Sequence, residues 1–276
     1  MANLDWTVFC SPSTEYVDKT SWVESVCHSI GGSYSATAEE VTWLQMMFTG
    51  LKWHFIVFFG ALVIALILGS LLGVMRTTPN KWLKMIGNAY VEVFRNIPLV
   101  IQYFLWLFVV PSFLPATFSP DSNAEVSGLW YRQIAASFPW VMGILGLGMY
   151  HAARVSEQVR AGIQTVSTGQ WNAGFALGMS RPQIYINSVL PQAFRIVWPT
   201  LTSEMMNMFK NASVAFVVSV ANFYALTKNM IEETSQVVVI LAITTLIYLF
   251  FTYAIKFLMV RIEKRIQVPG MITGGK

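Results

Sequence analysis

The chain has 276 residues, of which 55% are apolar and only 12% charged, with a formal net charge of +4. Soluble domains usually carry about 25% charged residues, so a chain this poor in charge, with a mean hydropathy of +0.53, lacks the polar surface that water demands. The composition argues against an ordinary cytosolic enzyme, a disordered protein and a nucleic-acid binder, and for an all-α membrane protein.

Residues 1–42 contain Asp5, lack a basic start and have no continuous apolar stretch, so they do not read as a secretory signal peptide. They are expected to form an external segment. Both cysteines, Cys10 and Cys27, lie in it. On an oxidising side of the membrane they either form a disulfide or stand as two free thiols.

Residues 43–266 read as a transmembrane domain, followed by a cytoplasmic tail at 267–276. A membrane helix needs about 20 apolar residues to cross a hydrocarbon core about 30 Å thick. Residues 55–75 and 237–255 meet this without a charge. Residues 97–114 are uncharged and continue an amphipathic lead-in from Trp82. Residues 134–153 are uncharged and carry Gly143, Gly146 and Gly148; residues 196–220 are apolar but contain Glu204 and Lys210. About five spans follow, helical because lipid offers the backbone no hydrogen bonds. Gly69 and Gly73 form a small-xxx-small pair, which marks either a close helix contact or the general frequency of glycine in such helices.

Basic residues orient the spans. Arg76, Lys81, Lys84 and Arg95 follow the first span. Arg154, Arg160, Arg181 and Arg195 follow the third, and Lys256, Arg261, Lys264, Arg265 and Lys276 follow the last. These thirteen of the eighteen basic residues share one side. Ten acids lie on the other, from Asp5 to Glu233. The N-terminus is therefore expected outside and the C-terminus in the cytoplasm.

The cytoplasmic loop at about 162–195 is too polar to span and too apolar for a plain linker. Residues 171–177 suggest a short helix with one apolar face that needs a partner. Gly178 suits the residue just past a helix end, Ser180 an N-cap, and Pro182 the first turn of a new helix.

Ionisable groups at membrane depth are costly and persist only when paired, at the interface or lining a polar cavity. Arg154, Glu157 and Arg160, spaced by three, form a ladder along one side of a helix. Either all three anchor the helix end as an interfacial salt-bridge ladder, or Arg154, nearest the membrane interior, binds a ligand. A guanidinium matches a carboxylate in a two-bond fork. Glu204 and Lys210 are six residues apart, about 240° round a helix, and cannot pair with each other. A zwitterionic amino acid needs a cation for its carboxylate and an acceptor for its ammonium. Lys210 could supply the first and Glu157 or Glu204 the second, with Gln102, Asn207, Asn211 and Ser213 adding neutral hydrogen bonds. His28, His54 and His151 have no second ligand at metal-binding spacing, so no metal site is expected. Gly274, Gly275 and Lys276 lack the rest of a phosphate loop, and no Walker A or nucleophile motif occurs. This chain is not expected to hydrolyse ATP or to carry a cofactor.

Four stretches resemble a known family. Gly169-Gln170-Trp171-Asn172-Ala173-Gly174-Phe175-Ala176-Leu177-Gly178, followed by Val189-Leu190-Pro191, resembles the Gly-Gln-x-Glu-Ala-Ala-x-x-x-Gly…Leu-Pro pattern of the permease subunits of bacterial ABC importers. Asn172 stands where that pattern has Glu, and Gly174 where it has Ala. Glu92, Arg95, Pro98, Leu99 and Gln102 resemble the Glu-x-x-Arg-x-x-Pro-Leu-x-x-Gln motif of polar amino acid permeases. The run from Ala152 to Ile163 resembles their Ala-x-Tyr-x-x-Glu-x-x-Arg-x-Gly-Ile motif, and Lys210 to Ser213 their Lys-x-x-Ser. The similarity runs from about residue 50 to 275 and is strongest to the glutamate/aspartate importers, which also carry Arg at the Tyr position.

The resemblance implies a type I ABC importer permease fold with five spans and a short cytoplasmic coupling helix. It implies Gly169, Trp171, Asn172, Ala173, Gly174, Leu177, Gly178 and Arg181 as the contact with a separate ATPase dimer, which would hold ATP and Mg. It also implies a periplasmic amino-acid-binding protein, a bacterial inner-membrane location and a second permease subunit. The departures at Asn172 and Gly174 favour a heterodimer with a sister permease. Arg154 in place of Tyr points to acidic substrates. The alternative, a self-sufficient ion-coupled transporter, is disfavoured by five spans and no internal repeat.

Overall fold

A computed structural model describes residues 8–9, 42–109 and 129–266. Cys10, Cys27, most of the 1–42 segment and the 267–276 tail lie outside the described residues. All regular elements described are helical. Helix α1 is Trp43–Met75; α2 is Lys81–Asn96; α3 is Leu99–Phe104, continued by a π turn at Leu105–Val109. Helix α4 is Leu129–Thr165, α5 Thr168–Ala176 and α6 Arg181–Ile184, which runs through a π segment Tyr185–Val189. Helix α7 is Leu190–Asn211, continued as a 3₁₀ helix Ala212–Val218. Helices α8, Phe223–Thr234, and α9, Val237–Ile266, complete the order.

Two helices, α1 and α9, are each long and apolar enough to cross a membrane, and counting each of two bent helix pairs as one span raises the number to four. The bends correct the continuous lead-in expected for the span at 97–114, of which 110–114 lie outside the described residues, and the continuity of the span at 196–220. Residues 97–114 do not form one helix with their lead-in. Ile97, extended before Pro98, separates α2 from the next helix, and the two cross at 106°. Residues 196–220 likewise do not form one helix. The α-helix begins earlier, at Leu190, and gives way to a 3₁₀ turn after Asn211. Beyond that turn the chain bends by 61° into α8.

The most extensive helix contact joins α1 to α4. Ala61, Ala65, Gly69 and Gly73 recur every four residues and so share one face of α1. A Cβ on Gly69 would lie 2.7 Å from Val155 Cβ and 2.8 Å from the Ala152 carbonyl oxygen, and one on Gly73 2.7 Å from Val159 Cβ. From the other side, a Cβ on Gly148 would meet Ile64 Cβ at 2.8 Å. Of the two readings of the Gly69/Gly73 pair, the close helix contact is the one present. The opposite face of α1 is apolar and uncovered, with Phe59, Val63, Ile67 and Leu71 all exposed, as lipid solvation requires.

Gly69→Leu is expected to lower the thermal midpoint of the purified protein sharply, since overpacking a tight contact costs about 1–3 kcal/mol or more. Ile67→Leu, on the lipid-exposed face of the same helix, should leave it unchanged.

Candidate functional site

Helices α4 and α7 bring their polar residues into one row. His151 on α4 is fully buried, and its Nδ1 lies 2.6 Å from Oε1 of Glu204 on α7, itself buried. Its Nε2 lies 3.2 Å from Asn211 Nδ2. With the amide donating to Nε2, the imidazole proton sits on Nδ1 and is donated to Glu204. One turn along α4, Arg154 Nε stands 4.0 Å from the same Glu204 oxygen. Arg154 Nη2 donates to Tyr150 Oη at 2.7 Å, and the guanidinium lies 5.0 Å from the Tyr150 ring centroid. The row therefore runs Asn211, His151, Glu204, Arg154, Tyr150. Its inner members are buried, whereas the Arg154 side chain is 41% exposed. The arrangement is a fixed cation, held by a ring and a buried carboxylate, presented to an accessible surface.

The Asn211 end of the row meets the break in α7. There the carbonyls that lose helical partners are answered by side chains. Buried His54 of α1 donates from Nε2 to Phe209 O at 2.9 Å. Buried Asn222 donates from Nδ2 to Ala212 O at 2.9 Å and to Ser213 O at 2.8 Å. Lys210 is exposed at this break. The Ser213 hydroxyl donates to Lys210 O, so it serves the local turn. Asn207 is half-buried on α7.

The other expected site residues are not part of the row. Gln102 is buried and its Nε2 donates to Phe94 O at 2.7 Å and Ile97 O at 2.9 Å, bracing the α2–α3 bend. Glu157 pairs with Arg76 Nη2 at 2.9 Å and Arg95 Nη1 at 3.4 Å. It does not pair with Arg154 or Arg160. The expected intrahelical ladder therefore does not form, because Arg76 at the end of α1 and Arg95 of α2 take the Glu157 carboxylate instead.

The loop after α4 folds as the short-helix reading expects. Gly178 is left-handed, at φ 73°. Met179 N–H bonds back to Gly174 O and Gly178 N–H to Phe175 O, the double bond pattern that closes a helix C-terminus on a glycine. Gln183 Oε1 then accepts from the N–H and hydroxyl of Ser180, the first cap of α6. The buried side of α5 is Gly174, where a Cβ would lie 2.7 Å from Ile184 Cγ1, with Trp171 edge-on to Tyr185. Glycine here lets α5 sit against a bulky Ile184. Gly169, Asn172, Ala173, Gly178 and Arg181 are exposed, and so are two large apolar side chains, Phe175 and Leu177, the latter 80% exposed.

Residues 65–268 match the model of the family described as the inner membrane component of binding-protein-dependent transport systems. The chain belongs to this family. It is similar to the glutamate/aspartate import permease protein GltJ of Escherichia coli, at 35% identity over 84% of this chain and 92% of that one. GltK, another glutamate/aspartate import permease protein of E. coli, is 31% identical over 74% of this chain and 86% of its own length. GlnM of Bacillus subtilis, a probable glutamine ABC transporter permease, is 32% identical over 75% and 87%. A chain from the crystal structure of an amino acid ABC transporter with histidines shares the fold, with a TM-score of 0.65 at 22% identity, covering 90% of this chain and all of that one.

As a member of this permease family the chain is a multi-pass membrane transport component. Two residues that partner the two buried carboxylates, His151 with Glu204 and Arg76 with Glu157, were not given that role from the sequence. His151 stands three residues before Arg154 on one helix face, a spacing that was visible but carried no meaning without the position of Glu204. Arg76 read as an orientation charge, yet it is buried and bonded to Asn88, Ser156 and Glu157.

Removing one member of a buried hydrogen-bonded pair leaves the other unsatisfied, at about 1–3 kcal/mol and more for a charged group. His151→Ala and Glu204→Gln are each expected to lower the thermal midpoint. In a double-mutant cycle the combined loss should be clearly smaller than the sum; additive losses would refute the pairing.

Proposed function

We propose that this chain is one of two permease subunits, paired with a non-identical sister, in an ATP-driven importer of acidic amino acids, glutamate and aspartate. The observation that carries the substrate reading is Arg154. Its guanidinium donates to Tyr150 and stands 4.0 Å from Glu204, which His151 holds in turn, and it still reaches an accessible surface. A planar fork of this kind suits a side-chain carboxylate better than a neutral substrate. The naming of two similar chains as glutamate/aspartate permeases supports the same class. In this reading exposed Lys210 meets the α-carboxylate, Glu204 accepts from the ammonium, and Asn211 adds a neutral hydrogen bond. Family membership disfavours the ion-coupled alternative.

The N-terminus lies outside, where a binding protein delivers substrate. Helix α5, with Phe175 and Leu177 uncovered, docks in a groove of a separate ATPase dimer, which binds ATP and Mg. Closure of that dimer draws the two α5 helices together and opens the spans outward. Release inward then requires that the two states differ in substrate affinity, since a ligand shifts an equilibrium only by its differential binding.

In the reconstituted complex, Arg154→Tyr should reduce uptake of radiolabelled glutamate and aspartate at least tenfold, the scale of losing one charge-assisted hydrogen bond, while sparing neutral amino acids. Glutamate uptake equal to wild type would overturn the assignment.

A further inference from the structure

A second charged cluster lies at the end of the bundle that carries α5, away from the Arg154 row. A pocket of about 310 Å³ is bordered there by Arg76, Glu92, Arg95, Glu157 and Arg160. Its floor is fixed: Arg76, 5% exposed, is bonded to Glu157 and to Asn88. Its rim is not. Glu92 is exposed and Arg160 half-buried, and neither has a hydrogen-bond or ion-pair partner among the described residues. Arg95 is 59% exposed and reaches Glu157 at 3.4 Å with a single nitrogen.

We propose that this pocket is a binding site for the transported amino acid on the α5 side of the membrane, and that its occupancy restrains transport. The proposal rests on the acidic-substrate reading above. The chemistry matches: three guanidinium groups and two carboxylates leave a charge of +1, complementing the single net negative charge of glutamate or aspartate at neutral pH. The two carboxylates of such a ligand engage Arg95 and Arg160, and its ammonium engages Glu92. A carboxylate at the rim repels a phosphate group, which sets a zwitterion apart from a lipid headgroup or free phosphate. The volume falls at the small end of ligand sites, about 300–1,000 Å³.

The restraint follows from which helices the ligand would join. Glu92 and Arg95 belong to α2, Arg160 to α4, and Arg76 caps α1. The next residue, Thr77, accepts from the Tyr185 hydroxyl at 3.1 Å on its carbonyl, and Tyr185 packs on Trp171 of α5. A ligand bridging α2 to α4 thus fixes the elements against which α5 moves.

The test uses the full importer in phosphatidylcholine vesicles, with ATP trapped in the lumen beside the ATPase, and binding protein with radiolabelled glutamate outside. Unlabelled glutamate in the lumen is expected to slow initial uptake by wild type, whereas inorganic phosphate is not. For Arg160→Gln and Glu92→Gln, uptake into glutamate-free vesicles should equal wild type, and the lumenal glutamate needed for half inhibition should rise at least tenfold. Inhibition of both variants at the wild-type concentration, or none in wild type, would overturn the site. Wild-type vesicles that take up no glutamate at all would instead refute the acidic-substrate reading. In that case equilibrium binding of labelled glutamate to the Arg154→Tyr complex, with and without Arg160→Gln, decides the pocket: binding lost on the second substitution supports it, and binding unaffected by it or absent throughout refutes it.

Discussion

A carbonyl released from a helix inside a bilayer has no water to turn to, and a polar group left unpaired there costs several kcal/mol. This constraint governs the two places where the helices break. At the α2–α3 bend the Gln102 amide answers Phe94 O and Ile97 O. After Asn211 the ring of His54 and the amide of Asn222 answer Phe209, Ala212 and Ser213. Both breaks are thereby held by side chains from another segment. The switch from α to 3₁₀ helix beside Lys210 and Asn211 is consequently a built element of the fold, as the interrupted helices of transporters generally are.

The same constraint sorts the charges. Glu204 is tolerated in the interior because His151 donates to it and Arg154 stands near. Glu157 is tolerated because Arg76 and Arg95 converge on it. One cluster sits midway along α4 and joins it to α7; the other sits about a turn further on and joins it to α1 and α2. A single helix thus carries two separate electrostatic centres, each shared with different neighbours, on the rigid support that the glycine face of α1 provides.

Much of this was legible in the sequence where local rules dominate. The long apolar runs of α1 and α9, the glycine stop at Gly178, the Ser180 cap and the short helix of the loop depend on residues a few positions apart. The bends were not legible in the same way. At Pro98 the amphipathic stretch from Trp82 reads as leading straight into the uncharged run after it, and nothing local marks Asn211 as the end of α7. The polar row was half-legible: Arg154 and Glu204 stood out as charges beside or within apolar spans and Asn211 as a neutral hydrogen-bonding group, while their connection through His151 depends on how α4 and α7 face each other. Glu157 was read within its own helix, and its partners proved to be on others.

The uncovered side of α5 bears on how the protein is made. Phe175 and Leu177 project from a helix only nine residues long, on a loop otherwise suited to water. In the orientation proposed above, a chain inserted in the membrane without its partners would display this apolar tip to the cytosol, where such surfaces lead to aggregation or triage by chaperones and proteases. Assembly is then its own checkpoint: the contact that would transmit force in the finished machine is the one whose absence marks an orphan subunit for removal.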